Sequence, residues 1–244
     1  MCCFSRAIKS VSNTNIFARA GEGQSQYLVY SMTLDAKEDL AMVLPLPTMP
    51  GAGEDAVHFI DLHDYPDFFQ DLHSGFPQPQ SYQLSRAPTA LAPATLKVVS
   101  VGNFEASFVP TLADFNRLDP RFRLPTGAWD KLPQYRAYGF AVFKLKPGAA
   151  VIHPMAFSFP RADVARLFFP TVHIHDGKVH RTAKFDHALY CQIETQPKDW
   201  WPSFSPAKLF MKVDQAHGLM DGERVCFQHK IVGQRPNQDI WLGA

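Results

Sequence analysis

Histidine side chains are concentrated in one short stretch near the end of the chain. The 244 residues include ten His, of which four fall between positions 173 and 187, and a cysteine follows shortly after. Imidazole nitrogens and thiolates are common protein ligands of Zn²⁺ and copper ions. We therefore predict a transition-metal site, and its candidate ligands are His173, His175, His180, His187 and Cys191.

A tight β-hairpin would bring three of these rings together. Asp176 and Gly177 separate two runs of alternating apolar residues, which is typical of a two-residue type I′ turn. Such a turn places His173 opposite His180, with Cβ atoms roughly 5 Å apart, and leaves His175 on the same face. The sequence thus predicts that these three imidazoles converge on one side of the hairpin.

The number of ligands would decide the role of the metal. Three protein ligands and a free fourth position form a catalytic arrangement, in which the ion activates water as a Lewis acid. A fourth ligand, either His187 or Cys191, would close the site as a structural one. Our first functional hypothesis is a bacterial protein that binds Zn²⁺ or copper, with metal-dependent hydrolysis as its possible chemistry.

The hairpin also has a purely structural interpretation. Val172, Ile174 and Val179 alternate with the histidines, and this pattern fits a hairpin that buries its apolar side and exposes its polar side. Lys178 on the proposed ligand face disfavours a metal, because an ammonium group repels a divalent cation. Both interpretations stay open at the level of the sequence.

The N-terminal residues suggest a second chemistry. Removal of Met1 would expose the α-amino group of Cys2 as a base beside its own thiol. This start, followed by a turn at residues 11–13 and a returning strand at 16–19, resembles cysteine acylases of the choloylglycine hydrolase type. The resemblance implies amide hydrolysis with Cys2 as nucleophile and Arg19 beside the thiol. The alternative is that Cys2 is a small apolar strand residue.

Composition excludes several functional classes. Twenty-four Lys and Arg against 23 Asp and Glu give a formal charge of +1, so nucleic acid is not an expected partner. No stretch approaches the roughly 20 apolar residues of a membrane-spanning helix, and the N-terminus lacks the pattern of a secretion signal. Four Cys are too few for a disulfide framework in a chain of this length. We expect a soluble, cytoplasmic protein whose partner is a small molecule or metal ion.

Short apolar runs between Pro and Gly residues predict a strand-rich α+β fold with mainly antiparallel sheets and few short helices. The apolar run 40–46 is one expected strand, and Pro147-Gly148 marks a second expected hairpin. Predicted helices begin near Pro66 and after Thr111, with a weaker candidate at 161–169.

We predict a single domain, residues 1–244, with possible lobes 1–75 and 94–244. The Pro-, Gln- and Ser-rich segment 76–93 between them has the composition of an exposed loop.

The run from Asp39 to Pro47 carries a further likeness. It resembles the acidic-Phe-Ala-Trp-Val-apolar-Pro-Val-Pro signature of a bacterial family of mostly secreted proteins with N-terminal cysteines, and the likeness continues at 101–105, 123–125 and 132–135. No activity comes with that family. The resemblance implies only that the early cysteines and the strand end at 44–47 are structural landmarks. A third hypothesis, which has no positive signature in the sequence, is a non-catalytic interaction module.

Overall fold

The structure is a computed structural model, and it describes residues 2–77, 99–101, 104–124 and 127–243. These residues form mostly β-strands with a few short helices, which confirms the predicted strand-rich α+β class. The strands are β1 (Cys2–Phe4), β2 (Ser10–Ala20), β3 (Ser25–Ala36), β4 (Leu40–Leu46), β5 (His58–Ile60), β6 (Val99–Val101), β7 (Phe104–Val109), β8 (Gly139–Leu145), β9 (Gly148–Pro160), β10 (Arg166–Phe169), β11 (His173–Ile174), β12 (Thr182–Gln192), β13 (Trp201–Pro202), β14 (Phe227–Pro236) and β15 (Ile240–Gly243).

The helical segments are short. One α-helix, α1, spans Phe68–Ser74 and buries Phe68, Phe69 and Leu72 on one face, as the sequence pattern near Pro66 predicts. The described 3-10 helices are Leu112–Arg117, Pro120–Phe122, Trp129–Lys131, Pro133–Ala137, Ala207–Leu209 and Val213–Ala216. None of the helices in the described ranges has the length and hydropathy needed to cross a bilayer.

The described strands pair into three sheets. A six-stranded sheet has the order β11-β1-β4-β8-β7-β6, and a seven-stranded sheet has the order β13-β14-β12-β2-β3-β9-β5. Strands β10 and β15 form a separate antiparallel pair. Within the two larger sheets, β1 with β11 and β2 with β12 are parallel, and the remaining described pairs are antiparallel.

The main core lies between the two larger sheets. Phe143 of β8 and Phe157 of β9 meet across this space, with ring centroids 5.8 Å apart. Strand β4 is buried at every position, because the 3-10 helix Pro120–Phe122 packs on the sheet that contains it. An uninterrupted apolar run such as 40–46 fits a strand that is covered on both faces.

A second cluster covers the outer face of the seven-stranded sheet. Phe17 of β2 contacts Phe68 of α1 at 5.8 Å between centroids, and Phe69 contacts Tyr190 of β12 at 6.1 Å. Because side chains alternate along a strand, Phe17 and Tyr190 face α1 while their neighbours face the main core. The seven-stranded sheet is therefore packed on both sides.

Segments before and after residues 76–93 contribute to both large sheets. Strand β3 pairs with β9, and β4 pairs with β8. The first two residues of the predicted loop, Phe76 and Pro77, are described, whereas 78–93 lie outside the described residues.

Two of the local predictions were wrong. Pro147-Gly148 does not close a hairpin, since β8 pairs with β4 and β7 in one sheet while β9 pairs with β3 and β5 in the other. The segment 161–169 does not form a helix but ends in β10, which pairs with β15. In both cases a partner distant in sequence determines the conformation.

The helix predicted after Thr111 begins where expected, but it is a 3-10 helix. The Thr111 hydroxyl donates to the Asp114 carboxylate at 2.7 Å and makes no capping bond to a backbone N–H. The predicted capping box is therefore not formed, and the two side chains bond to each other instead.

Candidate functional site

The Asp176-Gly177 pair connects two sheets and does not form a hairpin. Strand β11 pairs with β1 in the six-stranded sheet, whereas β12 pairs with β2 and β14 in the seven-stranded sheet. Asp176 Oδ1 accepts from the Lys178 backbone N–H at 3.0 Å, and Gly177 has a φ of 75° while Asp176 is not left-handed. A type I′ turn requires positive φ at both central residues. The predicted register, with His173 opposite His180, was therefore wrong.

His180 lies outside the histidine cluster. Its side chain is exposed, and its Nε2 lies 2.9 Å from Asp176 Oδ2. This local contact occupies one of the two ring nitrogens of His180. The structure does not bring His180 to the other histidines.

The crossing between sheets brings three other imidazoles together. The ring of His173, in β11, lies between the ring of His175, just after that strand, and the ring of His187, in β12. The His173 ring centroid is 4.9 Å from each of the other two, with interplanar angles of 26° and 25°. Phe185 closes one side, with its ring centroid 4.5 Å from that of His173. His173 and His187 are buried, and His175 is half-buried against Phe4. We name His173, His175 and His187 the histidine stack.

Burial keeps the histidine stack neutral near pH 7. Loss of solvation lowers the pKa of His175 to about 4 and that of His173 to about 2, and it also lowers the pKa of His187. For His173 and His187 the neighbouring imidazoles lower the pKa further, because a charged ring would repel a second one. Neutral imidazole is the form that either hydrogen-bonds to another imidazole or binds a metal ion.

Hydrogen bonds indicate where the protons lie. The Asp186 backbone N–H donates to His187 Nδ1 at 3.2 Å, which places the His187 proton on Nε2. That Nε2–H points to His173 Nε2, also at 3.2 Å, so His173 accepts and holds its own proton on Nδ1. His175 Nε2 is buried and has no hydrogen-bond partner among the described residues.

A side-chain clamp holds the backbone of β11. Asn237 Oδ1 accepts from the His173 backbone N–H at 2.7 Å, and its Nδ2 donates to the carbonyl oxygens of His173 and His180 at 2.9 and 3.0 Å. The amide thus completes the hydrogen bonds that a further strand would make at this edge. It fixes the position from which His173 projects.

Half-buried Asp239 extends this clamp. Its carboxylate accepts from the backbone N–H groups of Thr171 and Val172 at 2.7 and 3.1 Å, and from the Tyr135 hydroxyl. Burial raises the pKa of Asp239. The side chains of Asn237 and Asp239 therefore fix the backbone of residues 171–173, where β11 begins.

Cys191 does not join the histidine stack. It lies four residues beyond His187 on β12, a separation of about 13 Å along a strand. Burial raises the pKa of its thiol well above its ordinary value, which disfavours the thiolate that a metal needs. Within residues 2–77, 99–101, 104–124 and 127–243, no group of three or more His, Cys, Asp or Glu side chains has the geometry to hold a metal ion. Metal binding at the stack stays a prediction.

Cys2 and Arg19 belong to different layers. Cys2 is in β1 of the six-stranded sheet, and Arg19 lies on the outer face of the seven-stranded sheet. The Arg19 guanidinium donates to the backbone oxygens of Gly218 and Leu219 at 2.6 and 3.0 Å and lies over the Tyr27 ring. The structure therefore does not bring together the two residues implied by the acylase resemblance.

A groove on the outer face of the seven-stranded sheet was not expected from the sequence. Its volume is about 410 Å³, and its lining combines α1, the bulged part of β2, β12 and β14. The bulge lies between Ser12 and Asn15, where Asn13 adopts a φ of 50° and donates its backbone N–H to Asp186 Oδ2 at 3.0 Å. Asparagine is enriched in left-handed conformations, so the pattern Ser-Asn-Thr-Asn was the available signal.

Comparisons with known proteins find similar structures but no matching sequence family. No protein-family model matches the sequence. A mutated baculovirus P35 solved after caspase cleavage is similar in structure, with a TM-score of 0.53 and 13% identity over 96% of this chain and 100% of that one. Intact baculovirus P35 gives a TM-score of 0.51 at 13% identity, over 96% of this chain and 97% of that one. At this identity the likeness concerns the fold.

Proposed function

We propose that this protein is a non-catalytic interaction module whose partner is a peptidase. The observation that carries the proposal is the end-to-end likeness to P35, a protein that was solved after cleavage by a caspase. The likeness extends over both large sheets and is not confined to one motif, since it covers 96% of this chain. The proposal is a functional inference from fold.

Charge in the sequence bears on the class of peptidase. The predicted exposed loop 76–93 lies within residues 72–104, which contain no Asp or Glu. The Lys and Arg residues in this range are Arg86 and Lys97. An enzyme that requires an acidic residue before the scissile bond has no such bond in this range, whereas one that requires a basic residue has two. We therefore expect a peptidase that requires a basic residue, and we test peptidases of both specificities so that this expectation can fail.

Inhibition and cleavage are measured with the full chain. Each peptidase is titrated with the protein while hydrolysis of a fluorogenic substrate is followed, and intact mass spectrometry locates any cut. We expect stoichiometric loss of activity of at least one enzyme and a chain cut once. Arg86→Gln tests a basic-specific enzyme, with the exposed Arg136→Gln as the matched control. The proposal fails if every enzyme stays fully active and none forms a complex with the chain.

Metal binding at the histidine stack is the second candidate function. The Nε2 atoms of His173 and His187 are 3.2 Å apart. Two nitrogen ligands on one tetrahedral Zn²⁺, each at 2.0–2.1 Å, would be separated by about 3.4 Å. The same two nitrogens thus fit a shared ion almost as well as a shared proton, and His175 would supply a third nitrogen after a change in ring orientation.

Zn²⁺ or copper would have to displace the proton on His187 Nε2. That proton would move to Nδ1 or to solvent, and the bond from the Asp186 N–H to Nδ1 would be lost or weakened. Such an ion would supply Lewis-acid activation of water. His173 and His187 are buried, so an ion between them would be held in a largely dry environment.

Elemental analysis tests this second candidate. Purified protein is equilibrated with Zn²⁺ or Cu²⁺, dialysed and analysed for bound metal. We expect one ion per chain, lost in His173→Ala and in His187→Ala and retained in His180→Ala, since His180 is outside the stack. Equal metal content in all four proteins, whether zero or one, contradicts a site at the stack.

A further inference from the structure

We propose that the groove on the outer face of the seven-stranded sheet binds a small zwitterionic ligand of the amino-acid class. This inference does not rest on either proposed function, because it is argued from charged side chains outside the histidine stack, although His187 of the stack also lines the groove. It follows from two opposite charges on the groove lining that are not paired with each other.

The two charges lie on neighbouring strands. Ala188 of β12 is opposite Lys230 of β14, and Asp186 is opposite Val232, so Asp186 and Lys230 are diagonal neighbours on one face. Diagonal residues in an antiparallel pair are about 7–8 Å apart. Both side chains are exposed and line the groove, and neither makes a salt bridge with another residue in the described part of the chain.

The gap between them suits a molecule with both charges. One oxygen of Asp186 is held by the Asn13 backbone N–H, which fixes the carboxylate at the bulge of β2 and leaves the other oxygen for a ligand. Charge-assisted hydrogen bonds are about 2.7–2.9 Å long, and the ammonium and carboxylate of an amino acid are about 3 Å apart. An amino acid can therefore contact both charges at once.

The remaining lining is suited to a small polar ligand. Ala188 is small and leaves room above β12, and Phe69 of α1 provides an apolar wall. The side-chain amides of Asn13 and Gln70 line the groove without hydrogen-bond partners among the described residues. Sites for small ligands combine apolar walls with a few convergent polar groups, and the groove has this composition.

The test uses three probes on the full chain. These are L-serine, N-acetyl-L-serine, which lacks the ammonium group, and L-serine methyl ester, which lacks the carboxylate. Binding is followed from amide chemical shifts at millimolar concentrations. We expect L-serine to shift the amides of residues 186–188 and 230–232, and each analogue to bind at least tenfold more weakly, because each loses one charge-assisted contact.

Variants locate the contacts. Asp186→Asn and Lys230→Met should each weaken L-serine binding by tenfold or more, whereas Lys184→Met should not. Lys184 is exposed on the same strand as Asp186 and outside the groove, which makes it the matched control. No shifts with any probe, equal binding of all three probes, or equal weakening in the control variant would each overturn the proposal.

Discussion

Replacement of His175 by Phe should remove part of the acid sensitivity of this protein. His175 packs on Phe4 and His173, and its buried Nε2 has no partner among the described residues, so Phe fills the space without breaking a hydrogen bond at that atom. Burial lowers the pKa of His175 to about 4, below its ordinary value of 6.5. The unfolded chain therefore binds a proton on this ring at a higher pH than the folded chain does.

The sign and size follow from proton linkage. A lowered folded-state pKa contributes full stability above pH 6.5, and this contribution is lost as the pH falls towards the folded-state pKa. One such histidine lowers the free energy of unfolding by about 2 kcal/mol when the pH falls from 7.5 to 5. The pKa values of His173 and His187 are lowered as well, so these two rings add to the loss of stability on acidification.

Urea unfolding of both proteins at pH 7.5, 6 and 5, followed by tryptophan fluorescence, provides the measurement. The free energy of unfolding of His175→Phe minus that of the native chain should rise by about 2 kcal/mol from pH 7.5 to pH 5. The other titrating groups are shared and largely cancel in this difference. Parallel stability curves would refute the assignment of a half-buried neutral ring at position 175.

Three further substitutions test the packing around the site. Asn237→Ala should lower the free energy of unfolding by about 1–3 kcal/mol and speed amide exchange at His173, because three backbone hydrogen bonds are lost; unchanged exchange would contradict the clamp. Tyr135→Phe should lower the free energy of unfolding by about 1–3 kcal/mol in chemical denaturation, because it removes a donor from half-buried Asp239, and a neutral result would mean that the carboxylate needs no such donor. Gly75→Ala should lower the free energy of unfolding by about 1–3 kcal/mol in the same assay, because its Cβ would come 2.6 Å from the Phe210 ring. Gly53→Ala meets no atom within 4 Å and should be neutral. Equal effects of the two substitutions would refute the close approach.

Elements that carry their own hydrophobic signal were predictable from the sequence. The apolar run 40–46 matches β4 because a strand buried on both faces needs an apolar residue at every position. Helix α1 was predictable for a similar reason, since Phe68, Phe69 and Leu72 form one helical face. In these elements local periodicity and tertiary packing require the same conformation.

Connections between the sheets were not predictable from local patterns. Asp176-Gly177 and Pro147-Gly148 have turn-forming residues, but each links a strand of one sheet to a strand of the other. Turn residues indicate where the chain bends and do not specify which strands then pair. The metal-site hypothesis assumed that the strands on either side of Asp176-Gly177 pair with each other. They do not, and His187 lies next to His173 while His180 contacts Asp176.

The parallel pairing of β2 with β12 has a consequence for synthesis of the chain. Strand β2 ends at Ala20, and its neighbour in the middle of the seven-stranded sheet ends at Gln192. During translation, one edge of β2 has no partner until most of the polypeptide has left the ribosome. Contacts so distant in sequence slow folding and leave β-edges exposed to aggregation meanwhile. The yield of native protein should therefore depend on how fast the ribosome translates the last third of the chain.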